Sequence, residues 1–199
     1  MRVIGITGGV GAGKSTVLSM LLELCKCRII MADDVAKNMM EYHGNLSGDI
    51  IRIFGSEAYE DGILNRAHIA SLMYGDSRLM EEWTSIIHPA VNKEIAEYIK
   101  KEKNDGVVDF VFIESALLIE HNYEKICDEL WYVFADADTR IERLKMQRGY
   151  SREKSESIIA KQLSDEMFRE KCSFVIDTSK DLDFTRSIIK NKLAEYVGI

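Results

Sequence analysis

The chain has 199 residues, of which 46% are hydrophobic, with 26 lysines and arginines against 33 aspartates and glutamates. This length and apolar content suit one compact α/β domain with a sizeable core. The net charge of -7 argues against general affinity for nucleic acid or anionic membranes, so phosphorylated ligands would have to meet local basic groups. No apolar run approaches the ~20 residues that span a bilayer, and we expect a cytoplasmic protein without a signal peptide.

The most informative motif lies near the start of the chain, where Gly8–Thr16 reads GGVGAGKST and fits G-x-x-x-x-G-K-[ST]. A short apolar strand is predicted over 2–7 and a helix over 15–24. A glycine-rich turn between them directs backbone N–H groups at phosphate oxygens, and the helix N-terminus adds about half a positive charge. The sequence therefore predicts a nucleoside triphosphate site formed by Gly8, Gly9, Val10, Gly11, Ala12, Gly13, Lys14, Ser15 and Thr16.

Two side chains of this loop have predicted roles of their own. Lys14 would reach the β- and γ-phosphates, and the Ser15 hydroxyl would bind Mg²⁺. A buried strand is predicted over 107–114, and Glu114 closes it. The Glu114 carboxylate would lie near the Mg²⁺ and its water shell, or it could equally pair with a neighbouring lysine.

Two adjacent carboxylates follow the second predicted strand, 28–31. Open α/β sheets bind ligands at the carboxyl ends of parallel strands, so Asp33 or Asp34 can be catalytic. Either residue can instead be the N-cap of the helix that follows. The residues alone leave both hypotheses open.

The region 45–103 is predicted to be mostly helical, with a turn at Asp61-Gly62 and a helix that kinks or restarts at His88-Pro89. Such an insertion between two sheet strands either holds an acceptor substrate or only covers the sheet. The segment 138–152 is unusually basic for this acidic chain and follows a predicted strand, at a place where many kinases carry a mobile lid. Its arginines are either a solvated face or lid residues, and the lid interpretation is favoured for Arg148.

Five apolar segments alternate with helices along the chain. Short strands are also predicted over 130–135 and 174–176, and a closing helix over 182–197. This alternation predicts a three-layer α/β fold with a five-stranded parallel sheet and helices on both faces.

Beyond the phosphate-binding loop, a series of short motifs runs through the chain: Ala32-Asp33 with Ala36-Lys37, Phe54-Gly55, Asp61 to Arg66, His88-Pro89, Leu117 to Glu120, Gln147-Arg148, Gln162 and Val175 to Asp177. In order and spacing they resemble the dephospho-CoA kinase family, from Val3 to about the last helix. The resemblance implies a single P-loop kinase domain over 1–199, an acceptor-binding region at about 45–103 and a lid at about 140–170.

The mechanism implied by the resemblance is in-line transfer of the ATP γ-phosphate to the ribose 3′-hydroxyl of dephospho-CoA, the last step of coenzyme A biosynthesis. Asp33 would orient that hydroxyl and accept its proton, and Lys14, Mg²⁺ and Arg148 would offset the developing charge. By the same resemblance the acceptor pocket would include Asp33, Arg66, His88, Pro89, Leu117 and Leu118. His88 could instead be a helix residue with satisfied polar groups.

The chain departs from the family pattern in three places. The family usually has Asp-Ala-Asp where this chain has Met31–Asp33, and a proline where it has Ala116. The late Asn-Gly of the family is replaced around Thr178, which puts adenine contacts from that segment in question. None of these changes touches the phosphate-binding loop.

Two other functions compete with this one. A different small-molecule kinase, such as a nucleoside monophosphate kinase, would share the loop, the cap and an arginine lid. A nucleotide-binding regulator without catalysis is disfavoured because Lys14, Ser15, Asp33 and Arg148 are all present. The expected partners are ATP, dephospho-CoA and Mg²⁺, for a monomer or weak homo-oligomer that binds neither nucleic acid nor membranes.

Overall fold

The structure is a computed structural model that describes residues 1–197. The chain divides into two compact units. The first combines Met1–Ile30 with the chain from Lys101 onward, and the second is Met31–Lys100. The second unit therefore begins earlier along the chain than the insertion predicted at 45–103.

Seven strands and nine α-helices are formed within residues 1–197. The strands are β1 (Arg2–Thr7), β2 (Cys27–Met31), β3 (Tyr59–Glu60), β4 (Ile63–Leu64), β5 (Phe110–Glu114), β6 (Glu129–Phe134) and β7 (Phe174–Asp177). The helices are α1 (Lys14–Leu24), α2 (Ala32–Met39), α3 (Ser47–Phe54), α4 (Arg66–Gly75), α5 (Ser77–Asp105), α6 (Ala137–Arg148), α7 (Arg152–Ile159), α8 (Asp165–Lys171) and α9 (Leu182–Val197). No helix within the described residues is long and apolar enough to cross a membrane.

The main sheet has five parallel strands in the order β2-β5-β1-β6-β7, which confirms the predicted fold class. The central strand, β1, has Ile6 opposite Glu114 of β5 on one side and opposite Trp131 of β6 on the other. Because the chain leaves β1 toward β2 on one side and continues as β6 and β7 on the other, the carboxyl end of β1 is a topological switch point. Ligands of open α/β sheets bind at such points.

Large apolar side chains of the central strands form the core of this unit. Trp131, Phe110 and Phe112 are almost fully buried. Strand β5 begins at Phe110, three residues later than predicted. At its start the backbone N–H groups of Asp109 and Phe110 both donate to the Lys26 carbonyl. Val107 stays outside the core and is 65% exposed.

The second unit contains a small hairpin that the sequence analysis missed. Tyr59 pairs with Leu64 and Glu60 with Ile63 in an antiparallel ladder. The turn residues Asp61 and Gly62 have φ angles of 50° and 78°, the conformation that two-residue hairpin loops favour. With only two residues in each strand there is no alternating apolar pattern, so the Asp-Gly pair was the sole available signal.

Of the two alternatives predicted at His88-Pro89, a kink or a restart of the helix, the restart is wrong. Helix α5 continues through Pro89, although proline cannot donate to the carbonyl four residues earlier. Buried side chains lie on both sides of the proline, Trp83 before it and Val91, Ile95 and Ile99 after it. This packing outweighs the missing hydrogen bond.

Candidate active site

The loop between β1 and α1 has the open conformation of an anion site. Gly13 is the N-cap of α1 in the left-handed conformation, at φ 93° and ψ 22°, and no side chain caps the helix. The first N–H groups of α1 therefore remain available to an anion, together with the positive end of the helix dipole. Gly8, at φ 148°, has no room for a side chain because a Cβ atom there would collide with the Val133 carbonyl oxygen.

Lys14 and Glu114 lie together at the carboxyl ends of β1 and β5. The Lys14 Nζ donates to the Gly8 carbonyl at 2.8 Å and lies 3.6 Å from Glu114 Oε1. Both side chains are largely buried, with 15% and 10% exposed. The ion pair predicted as one alternative for Glu114 is therefore formed, and it places the carboxylate beside the phosphate-binding loop.

The Ser15 hydroxyl belongs to the first turn of α1 and is exposed. Within residues 1–197 no group of three or more His, Cys, Asp or Glu side chains could hold a metal ion. A nucleotide-bound Mg²⁺ keeps several waters and takes its other ligands from phosphates and one hydroxyl. Ser15 and, through water, Glu114 are suited to that ion.

Side chains from α6 and from the end of β7 donate hydrogen bonds to backbone carbonyls of the phosphate-binding loop. Arg140 Nε donates to the Val10 carbonyl at 2.8 Å, and Arg143 Nη1 to the Gly11 carbonyl at 3.3 Å. The Thr178 hydroxyl donates to the Ala12 carbonyl at 2.6 Å, and Thr178 itself accepts two hydrogen bonds from Arg143. Three successive loop carbonyls thus have side-chain donors.

These three supporting residues were missed by the sequence analysis. Arg140 and Arg143 had been grouped with the predicted lid, and their spacing of three residues on one helix face was the available signal. Burial lowers the pKa of the Arg140 guanidinium, which nevertheless keeps its charge because arginine titrates far above neutral pH. Thr178 is only 5% exposed, so its side chain supports the loop and is not presented to the adenine of a nucleotide.

Arg148, by contrast, is the last residue of α6 and is exposed. Gly149 ends the helix in the left-handed conformation, and the Arg148 guanidinium lies 6.0 Å from the centre of the Tyr150 ring. Among residues 1–197 it forms no hydrogen bond or salt bridge, so it differs from Arg140 and Arg143 in remaining available to a ligand.

Asp33 and Asp34 lie in the first turn of α2 and are both exposed. The N-cap is Met31, with no side-chain cap, so the N-cap hypothesis is wrong for both aspartates. Negative charges in a first turn are favoured by the helix dipole. Nothing in this local geometry holds either carboxylate to the backbone, and both are open to a substrate hydroxyl.

Of the predicted acceptor residues, Asp33, Arg66, His88 and Pro89 belong to the second unit. Arg66 begins α4 and lines a cleft of about 360 Å³. The same cleft is lined by Lys37, Met40, Glu41, Tyr42, Gly62, Ile63 and Leu64. Within α5, His88 is half-buried and Pro89 is exposed.

The two leucines predicted for the acceptor pocket have opposite environments. Leu118 is fully buried and packs over Gly5, where a Cβ atom would lie 2.9 Å from its Cδ1. Leu117 is 47% exposed, with its N–H held by the Ser115 hydroxyl. Leu118 is therefore a core residue in this structure, and Leu117 alone of the pair is open to a ligand.

Comparison with known proteins gives a consistent result. The family model described as dephospho-CoA kinase matches residues 2–183. A dephospho-CoA kinase of Carboxydothermus hydrogenoformans is 32% identical over 98% of this chain and 95% of its own length. One of Corynebacterium diphtheriae is 33% identical over 92% of this chain and 91% of its own. Among solved structures, TT1252 from Thermus thermophilus superposes with a TM-score of 0.79 at 27% identity, covering 98% of this chain and 97% of its own.

Proposed function

Because the chain belongs to the dephospho-CoA kinase family, we propose that it transfers the γ-phosphate of ATP to the ribose 3′-hydroxyl of dephospho-CoA. The observation that carries this proposal is the complete phosphate-binding loop, Gly8–Ser15, at the switch point of the sheet. The family model covers almost the whole of this chain. The reaction would complete coenzyme A biosynthesis.

In this proposal the triphosphate lies over the uncapped N-terminus of α1. Lys14, already beside Gly8 and Glu114, would turn its ammonium toward the β- and γ-phosphates. Mg²⁺, when bound, would neutralise phosphate charge, held by the Ser15 hydroxyl and by Glu114 through water. The N-terminus of α1 has no side-chain cap before the nucleotide arrives, which favours positioning and electrostatic stabilisation.

Asp33 is assigned to the acceptor hydroxyl. An aspartate is a weak base toward an alcohol, so its main contribution would be to orient the 3′-hydroxyl, with proton transfer completed as the bond to phosphorus forms. Its exposed carboxylate in the first turn of α2 is free of any cap role. Arg148 is assigned to the transferring phosphoryl group, since its guanidinium is not engaged elsewhere in residues 1–197.

The cleft beside Arg66 is assigned to the acceptor molecule. Dephospho-CoA carries a diphosphate and a long, partly apolar pantetheine arm. Lys37 and Arg66 supply two cations for the diphosphate, and Met40, Ile63 and Leu64 supply apolar surface. His88, Pro89 and Leu117 stay assigned to acceptor binding by the family resemblance.

The test is an acceptor panel. The purified protein is incubated with Mg-ATP and, in separate reactions, with dephospho-CoA, AMP, CMP or shikimate, and ADP release is measured. Release with dephospho-CoA alone is the expected result. Release with AMP, CMP or shikimate in its place would assign the chain to another small-molecule kinase activity, and release with none of the four would indicate a nucleotide-binding regulator.

A further inference from the structure

A closed set of hydrogen bonds joins the phosphate-binding loop to the predicted lid. The Val10 N–H donates to Gln162 Oε1 at 3.1 Å, and the Val10 carbonyl accepts from Arg140 Nε at 2.8 Å. Arg140 Nη2 in turn donates to the same Gln162 oxygen at 2.5 Å. The backbone N–H and the backbone carbonyl of one loop residue are thus held by two side chains that also bond to each other, although Gln162 lies 152 residues away in sequence.

These hydrogen bonds are made by a residue of the phosphate-binding loop itself, so they bear on anion binding. Val10 is the third residue of the phosphate-binding motif and is partly exposed, in a loop whose backbone N–H groups are its means of binding an anion. The Arg140 guanidinium fills the space where a Cβ atom of Gly9 would lie. The phosphate-binding loop, Arg140 and Gln162 therefore pack against one another. The orientation of the Val10 backbone depends on the Gln162 side-chain oxygen.

Gln162 is itself well placed for this task. It belongs to the short connection between α7 and α8, where its own backbone N–H donates to the Ile159 carbonyl. Two residues later, Ser164 caps α8 by accepting from the Met167 N–H. The glutamine is fixed by turns on both sides, and its oxygen is the acceptor shared by two donors, so removing that oxygen takes a partner from both Val10 and Arg140.

We propose that Gln162 is a positioning residue for ATP: through the Val10 peptide and Arg140 it holds the phosphate-binding loop in its nucleotide-competent conformation. This rests on the proposed function only in taking Gly8–Ser15 as the ATP site. A preformed loop spends no binding free energy on ordering, so loss of the glutamine oxygen weakens ATP binding, and acceptor binding in the second unit is unaffected.

The experiment compares Gln162→Met, which keeps the length of the side chain and loses the acceptor, with the wild type. Gln147→Met is the matched control, because Gln147 is exposed on α6 and makes no hydrogen bond within residues 1–197. ATP affinity is measured by calorimetry without acceptor, and exchange of the Val10 amide proton by NMR. The melting temperature and the KM for dephospho-CoA are recorded for each variant.

Gln162→Met is expected to weaken ATP binding roughly 5- to 100-fold, the effect of leaving a partly buried donor without its partner. The Val10 amide should exchange at least about tenfold faster, while the melting temperature falls by less than about 4 °C and the KM for dephospho-CoA is unchanged. Gln147→Met should match the wild type in all four measurements.

ATP affinity within about twofold of the wild type would overturn the proposal. So would a loss that accompanies a large fall in melting temperature and affects both substrates equally, since that pattern marks general destabilisation. If Gln162→Met does not fold, Gln162→Glu decides: it keeps an acceptor for both donors, and rapid exchange of Val10 in that folded variant would equally refute the role. Failure of wild-type protein to bind ATP at all would instead refute the proposed function.

Discussion

Among single residues, Lys14 combines the most roles. Its ammonium bonds to the Gly8 carbonyl across the loop and faces the Glu114 carboxylate at 3.6 Å. Those two partners keep the charge at the mouth of the loop in the absence of nucleotide. Because the loop conformation also depends on Arg140, Arg143 and Thr178, loss of Lys14 should remove charge from the site without collapsing it.

Lys14→Ala is expected to lower kcat/KM by about 10³-fold or more, because the β- and γ-phosphates lose their nearest cation in the transition state. The melting temperature should stay close to that of the wild type. Lys145→Ala, at an exposed position of α6, is the control and should retain full activity. Steady-state kinetics of the two variants provides the measurement, and a Lys14→Ala enzyme within tenfold of wild type would remove Lys14 from the mechanism.

The neighbouring aspartates of α2 offer a matched comparison, since both are exposed in the same first turn. Asp33→Asn keeps the shape of the side chain and removes its charge, so kcat should fall by roughly 10²–10⁴ with little change in ATP affinity. Asp34→Asn should stay near wild type. Both are assayed at saturating ATP and dephospho-CoA. The reverse result would make Asp34 the catalytic carboxylate, and two active variants would exclude both.

At the scale of elements, the predicted lid region has two different parts. The first turns of α6 face the loop through Arg140 and Arg143, and the end of β7 adds Thr178 from the neighbouring strand. The end of α6, with Arg148, carries no such contact within residues 1–197. Motion of a lid would therefore be expected around Arg148 and not at Arg140, Arg143 or Gln162, which hold the loop.

Thr178→Val tests the support given by β7. The substitution keeps the shape of a buried side chain and leaves the Ala12 carbonyl without its 2.6 Å donor. A loss of about 1–3 kcal/mol in the free energy of unfolding is expected, measured by urea denaturation. Thr178→Ser keeps the hydroxyl and should recover most of the stability. A Thr178→Val variant as stable as the wild type would contradict the supporting role of the hydroxyl.

For the molecule as a whole, one carboxylate joins three elements of the first unit. Glu129 at the start of β6 accepts from Tyr196 of α9 at 2.8 Å and from Ser173 at 3.2 Å, and Arg2 lies 3.6 Å away. Burial alone would raise the pKa of Glu129, but the hydrogen bonds and the nearby Lys192 charge lower it below its usual 4.5. The ionised form is therefore favoured in the folded state.

The lowered pKa of Glu129 in the folded state determines how the stability of the protein changes with pH. A lowered pKa in the folded state contributes stability above the unfolded value of 4.5, and that contribution disappears as the pH falls through the lower folded value. Glu129→Gln should therefore lower the melting temperature at pH 7, and the difference from wild type should shrink by pH 3.5. Glu142→Gln, at an exposed position of α6, should show no such dependence. A difference that is equal at both pH values would contradict the assignment.

The sequence by itself determined the features that are written in contiguous residues. The phosphate-binding loop is one motif, and its chemistry depends on glycines, Lys14 and a helix N-terminus that lie within nine positions. The strands of the parallel sheet are short apolar runs, and the closing helix 182–197 was predicted with its observed bounds. The family followed from motifs spread along the whole chain, in an order that the match over residues 2–183 confirms.

Only the tertiary structure decided which distant side chains meet. Val10 and Gln162 are 152 residues apart and Ala12 and Thr178 are 166 apart, and no local pattern encodes such pairs. The burial of Leu118 beside an exposed Leu117 depends on packing over Gly5. The continuity of α5 through Pro89 depends on buried side chains on both sides of the proline. Contacts of this kind are set by the folded chain, because local propensity is weaker than the packing that overrides it.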